Sequence, residues 1–259
     1  MMNHLTGYIG RRTIGLMEYI LNLSTFTCRL LKLLMERHKT GRKAVRWAMV
    51  EQIYFTGVQA LSIVIPLALI TGSILISRIT WVSEEYNLGK MILIIIVREL
   101  APMITAFLVI LRSASAVTIE VSYMNILNEI NTIEMAGIDP MRLIALPRLV
   151  GITTSLFCLF IVFDLVSIIG GYLIVWAGTY LPMGNFLSQI GKAFTIADIA
   201  VGIVKALCFG VIITVVSLYH GFENKYQMTR IPPVTARAAV ECFVLCLFTN
   251  LMISFLFYF

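Results

Sequence analysis

Charge is what this sequence has least of. Only 13% of its 259 residues are Asp, Glu, Lys or Arg, against about a quarter in a soluble domain, and 59% are hydrophobic. With a mean hydropathy of +0.91, that scarcity excludes an ordinary soluble protein and leaves a membrane protein. Histidine is scarce too: His4, His38 and His220 are isolated from one another. There is no G-x-x-x-x-G-K-[ST] phosphate loop, no G-x-S-x-G and no H-E-x-x-H, so neither a nucleotide cradle nor a hydrolase signature is present. Cys242 and Cys246 share a helical face, but no histidine stands near them in sequence, and a free cysteine in an oily run acts as a small hydrophobe. The net charge of +6 is no sign of nucleic acid here, because in a membrane protein the placement of the positives decides their meaning.

What is present is length of apolar run. Five stretches, roughly 56–76, 88–111, 149–177, 196–220 and 240–259, are long enough to cross a bilayer, which takes about 20 residues. The first contains Pro66 and Gly72 and is open to a break or a partial crossing, which is tolerated where other helices cover the backbone. Ahead of it, residues 5–35 mix apolar side chains with Arg11, Arg12, Glu18, Arg29 and Lys32, and a basic cluster follows at Arg37, Lys39, Arg42, Lys43 and Arg46. That texture is too charged to span and suits an amphipathic helix on an anionic surface; no compact apolar core with a cleavage site marks a signal peptide. The expected fold class is an all-α membrane protein, about five transmembrane helices preceded by an amphipathic interfacial helix. Residues 1–52 form the basic interfacial region and 53–259 the transmembrane domain.

Orientation follows from lysine and arginine alone. With the amino terminus inside, segments 1–52, 112–148 and 221–239 hold fifteen of the twenty positives, and the opposite side holds only Arg78, Lys90 and Lys192. The amino terminus is therefore expected in the cytoplasm and the carboxyl terminus outside. The two remaining positives, Arg98 and Lys205, fall within spans. They lie ten and nine residues from the outer span ends at Leu88 and Ile196, or roughly 15 Å deep at 1.5 Å per residue. Glu99 adjoins Arg98, and Asp164 on the third span is at a similar level, so four charges share a band near the bilayer centre. Each costs about 2.5–3.5 kcal/mol or more there. They must therefore face protein or a wet cavity, as an ion-pair network, a substrate pathway, or both. Asp198 and Glu241, close to span ends, read as solvated termini.

The stretch "RELAP" at 98–102, "RSASAVTIE" at 112–120 and "NEINTIEMAGIDPMRLIALPR" at 128–148, with "KALCFG...SLYHGF" at 205–222, resembles the MlaE (YrbE) family, permease subunits of ABC-type lipid transporters that work with MCE proteins. The resemblance covers most of the chain. It implies a homodimer in a bacterial inner membrane, two ATPase subunits on the cytoplasmic face, an MCE ring on the outer face, often a STAS-domain protein, and a phospholipid substrate. It implies no cofactor in this chain, ATP and Mg being bound by the partner ATPase, and no enzymatic activity of its own. It also implies that Glu99 and Lys205 line the lipid pocket. Departures include Ala101 where the family commonly has Gly, fewer glycines in the first span, and an acid at Asp164.

Arg98 is then expected to brace the bundle, with Asp164 as its partner, because adjacent helical residues point about 100° apart. The connection from Arg112 to Arg148 reads as a cytoplasmic coupling helix at about 120–139, with Glu120, Leu127, Glu129, Ile133, Glu134 and Asp139 as its ATPase-facing candidates; Gly137 and Asp139–Pro140 supply helix-stop chemistry. Three other functions remain open at this stage: an ABC permease for another amphipathic solute, a proton-coupled carrier working through Glu99, Asp164 and Lys205, and a structural membrane anchor. The lack of repeated halves weighs against the carrier.

Overall fold

A computed structural model describes residues 2–35, 42–82, 93–179, 196–223 and 228–258. Among them all regular structure is helical. Helix α1 covers Met2–Met35, α2 Arg42–Ile53 and α3 Leu61–Val82; α4 covers Ala101–Val109, α5 Ser115–Ile126, α6 Glu129–Met135, α7 Leu146–Thr179, α8 Ile196–Glu223 and α9 Ile231–Tyr258. Wider π-helical turns occupy Tyr54–Val58, Leu93–Leu100, Ile110–Ala114 and Met141–Ala145. Arg37, Lys39, Lys90, Lys192 and Lys225, which entered the charge count, lie outside the described residues.

Among the described residues, five helical stretches are long and apolar enough to cross a membrane: Lys43–Arg78, Ile96–Ile126, Met141–Leu173, Asp198–Glu223 and Met228–Phe257. The chain is a multi-pass membrane protein of the expected class. The first stretch starts earlier than expected. Helix α2, placed by sequence in the interfacial region, leads through the Tyr54–Val58 turn into α3, with Pro66 inside α3.

Contacts fix the order of the bundle. Spans one and three run side by side in the same direction, and glycine is what lets them approach. A Cβ on Gly151 would collide with Gln52, one on Gly57 would press on Ser155, and Gly72 and Gly171 meet backbone to backbone. A Cβ at Gly72 would stand 2.1 Å from the Ser167 carbonyl oxygen. Spans two and four are likewise parallel. Thr118 donates to the Ser217 carbonyl at 3.2 Å and Asn125 to that of Phe222 at 2.6 Å, while Gly221 makes room for Val121. Span five returns antiparallel along span four. The core, Leu156, Phe163, Phe209, Ile213 and their neighbours, lies where spans two, three and four meet.

Helix α1 shows the interfacial pattern. Leu30 is buried, and Leu23 and Phe26 pack on the core, whereas Ile14, Met17 and Leu21 on other faces are exposed. Apolar side chains facing away from the protein fit a helix lying in the headgroup region.

The connection between spans two and three corrects an expectation. No single helix covers 120–139. Helix α5 continues span two to Ile126, Asn128 adopts a left-handed conformation at φ 59°, and the two-turn α6 follows. Gly137 at φ 76° then reverses the chain, a backbone state that glycine tolerates without a steric penalty. Asp139 accepts the Met141 N–H at 3.0 Å and so caps the next helix. The apolar spacing across 120–139 had merged two helices, because Asn128, the residue that breaks them, is an uncommon non-glycine visitor to that conformation.

Candidate functional site

The charged band assembles around one face of α8. Asp198 and Lys205 are two turns apart and therefore stack on that face. Arg98 and Glu99, in the π-helical turn of span two, reach them separately. Arg98 Nη2 pairs with Asp198 Oδ1 at 2.5 Å, and Lys205 Nζ with Glu99 Oε1 at 3.2 Å. Adjacent residues thus diverge, as helical geometry requires, but both end on span four.

Proline helps to build the cation site. Pro102 has no N–H to offer the carbonyl of Arg98 four residues earlier. That carbonyl accepts a hydrogen bond from Lys205 Nζ at 2.8 Å. Lys205 also donates to Ser254 Oγ at 2.7 Å, and its side chain is wholly buried. Its three donors are therefore matched by three acceptors, as a buried ammonium requires. Glu99 accepts from Asn250 Nδ2 and from Ser254 Oγ, each at 2.7 Å. Its side chain is nevertheless 39% exposed, so the carboxylate is held from one side and open on the other. π-Helical turns recur at functional sites because they displace a side chain from regular register, and this one carries both charges.

Sequence reasoning missed Asn250 and Ser254. Neutral polar side chains give little hydropathy signal; their one mark is i, i+4 spacing in an otherwise apolar run. Three charge assignments are corrected. Asp164 does not pair with Arg98, and its Oδ1 has no hydrogen-bond partner. Asp198 is not a solvated terminus but 2% exposed, in the first turn of α8, where the helix dipole favours an acid. Depth counted along a helix gives no azimuth, and a long arginine stem bridges levels that residue counting separates. Glu241 is not simply solvated either. It accepts from the Tyr19 hydroxyl of α1 and contacts His220 Nε2 at 2.7 Å. Burial, then the Glu241 carboxylate, push the Tyr19 phenol well above its ordinary value.

The coupling candidates separate into two groups. Glu120 pairs with Arg148 at 2.7 Å and braces spans two and three. Ile133 packs inward against the core and Asp139 caps a helix. Glu129 and Glu134 are exposed on α6, and Leu127 is exposed at the turn beside it. Met135 and Ile138, which the sequence reading did not single out, add to this outward apolar surface.

A five-span helical bundle with a neutralised, half-open ion pair inside it suits a membrane permease. Residues 49–256 match the family described as Permease MlaE, and the chain belongs to that family. It is 31% identical to the Haemophilus influenzae "Intermembrane phospholipid transport system permease protein MlaE" over 74% of this chain and 76% of that one. A "Probable ABC transporter permease protein" of Rickettsia felis is 23% identical over 100% of this chain and 99% of its own length. A relative in Pyropia yezoensis, "Probable ABC transporter permease protein ycf63", is 24% identical over 93% of each. The chain is thus an ABC-type permease subunit, and ATP hydrolysis belongs to a separate subunit.

Proposed function

We propose that this chain is the permease subunit of an ATP-driven phospholipid transporter, moving lipid between the inner membrane and an MCE assembly on its outer face. The observation that carries the reading is the Glu99–Lys205 pair. A buried ammonium and a half-open carboxylate, ringed by Asn250 and Ser254, offer polar contacts to a headgroup among apolar helices that accept its chains. The amino terminus lies in the cytoplasm, as the excess of lysine and arginine in 1–52, 112–148 and 221–239 indicates. ATPase subunits then dock on the connection at 127–140, where Leu127, Met135 and Ile138 are exposed. A second copy of the chain would close the open side of Glu99, and a STAS-domain protein would accompany the ATPase.

The test replaces charge while keeping shape. Glu99→Gln and Lys205→Met, purified with their partner subunits and reconstituted in vesicles, should assemble normally. Their lipid transfer should fall by about tenfold or more, the scale of one lost charge-assisted contact. Normal transfer by Glu99→Gln would remove the pair from the pathway.

A further inference from the structure

A second polar site lies at the other end of span two, one that the transport reading does not use. A cleft of about 500 Å³ opens where the start of span one, the end of span two and the start of span three converge. Its charged lining residues are Glu51, Glu120 and Arg148, and Phe55, Val117 and Leu143 contribute apolar wall. Arg112, one turn before the lining residue Ala116, stands at the margin. It donates to Gln59 Oε1 at 2.7 Å and lies over the Phe55 ring, 5.0 Å from its centroid.

The charges are arranged as two of each sign. Arg148 is 9% exposed, donates to the Ile144 carbonyl at 2.9 Å and pairs with Glu120. A guanidinium carries five N–H donors, and on these two arginines Arg112 Nη1 and Arg148 Nε have no partner. Planar guanidinium forks suit a phosphate better than an ammonium does. The acids opposite are suited to a cation: Glu51 is exposed and the Glu120 side chain is 60% exposed. A purely anionic ligand would be repelled by Glu51 and Glu120, and a purely cationic one by the arginines. A ligand carrying both charges meets neither cost.

The level of the cleft favours a membrane source. Trp47 and Tyr54, on the helix that forms one wall, are 71% and 56% exposed, and such aromatics belong at the headgroup level. Glu120 follows Glu99 by 21 residues along the same span, about 30 Å at helical rise, so the cleft is separate from the Glu99–Lys205 site.

We infer that this cleft holds a zwitterionic phospholipid headgroup, with its phosphodiester on Arg112 and Arg148 and its ammonium on Glu51 and Glu120. The inference rests on the chain's being a lipid permease, and it gives the lipid a second station near the cytoplasmic face. There the headgroup joins the existing Glu120–Arg148 pair, and the two unpartnered nitrogens, closed to solvent in this state, meet the phosphodiester when the arginine side chains turn into the cleft.

The test uses the complete transporter in nanodiscs with a photoactivatable phosphatidylethanolamine, a phosphatidylglycerol analogue as comparator, and mass spectrometry of the labelled peptides. The ethanolamine lipid should label residues 54–59 and 143–148. The glycerol lipid, which lacks the ammonium, should label them several-fold less. Arg148→Gln and Arg112→Gln should each reduce labelling by about tenfold. Arg112→Gln decides the matter if Arg148→Gln fails to fold, because it gives up only a hydrogen bond to Gln59 and a ring contact. Equal labelling by both lipids, or labelling unchanged in Arg112→Gln, overturns the inference. So does full protection by soluble glycerophosphoethanolamine at concentrations no higher than the lipid's, which would make the ligand a soluble phosphodiester rather than a membrane lipid. Lipid transfer measured on the same preparations separates the two readings. Transfer without cleft labelling refutes the cleft alone, and cleft labelling without transfer refutes the transport reading alone.

Discussion

At the scale of single residues, the polar groups inside the bundle differ sharply in how well they are matched. Arg98 and Asp198 form a close pair, with the acid almost wholly buried. Removing one partner of such a pair strands the other and costs about 3–5 kcal/mol. Arg98→Leu and Asp198→Leu should each lower the melting temperature in detergent, and the double variant should recover much of the loss. If the double variant melts no higher than the singles, the two residues do not support each other. Asp164 is expected to behave in the opposite way. Its Oδ1 has no hydrogen-bond partner, so Asp164→Asn should leave melting unchanged or raise it; a clear fall would show that the carboxylate has a structural role. The divergence of Arg98 and Glu99 was legible in the sequence, since neighbours on a helix cannot point the same way. So was the meeting of Glu99 with Lys205, once depth and family motif were combined. Arg98's partner was not legible, because depth counted along the helices put Asp164 at its level and Asp198 near a span end, and only the packing of span four brings Asp198 to it.

At the scale of elements, two contacts determine how helices are held. Gly72 and Gly171 bring spans one and three into backbone contact, and a Cβ on Gly171 would lie 2.6 Å from the Gly72 carbonyl carbon. Gly171→Val should therefore destabilise the protein by about 1–3 kcal/mol or more, read as a lower melting temperature and poorer recovery from the membrane. Gly15, with open space around it, is the control position, and Gly15→Ala should have no such effect. Helix α1 is held by the Tyr19 hydroxyl on Glu241, with His220 alongside. Tyr19→Phe removes a hydrogen bond to a charged group, worth about 1.5–3 kcal/mol, and trypsin should then cut α1 at Arg29 or Lys32 more readily. Because the folded state raises the phenol's pKa, the stability that Tyr19 contributes is full below the unfolded value of about 10 and is lost as pH rises above it. Protection of α1 from trypsin should accordingly be flat through neutral pH and decline only in alkali. The spans themselves were legible from apolar runs. The break at Asn128 was not, because period counting detects a continuing face and not one left-handed residue.

At the scale of the whole molecule, the chain is a transport subunit without a motor of its own. It contains no phosphate loop, and a preparation free of partner subunits should not hydrolyse ATP; robust hydrolysis by it would contradict the family assignment. Shortening the surface at Leu127, Met135 and Ile138 to alanine should reduce ATPase co-purification while membrane insertion survives, since these side chains are exposed and hold no core together. Unchanged co-purification would place the docking surface elsewhere.

The backbone contact between Gly72 and Gly171 has a mechanical consequence. Helices that touch without intervening side chains have little freedom to slide or roll, so spans one and three form a single stiff lever. Spans two and four, joined by their two ion pairs, form a second one. A displacement delivered at the 127–140 turn enters both, through the end of α5 and the start of α7. The seam between the levers is held by the Glu120–Arg148 pair and by the buried core, so a turn of one lever against the other has to repack both. The Arg112–Arg148 cleft bridges that seam, so its width is a gauge of how far the two levers have turned against each other.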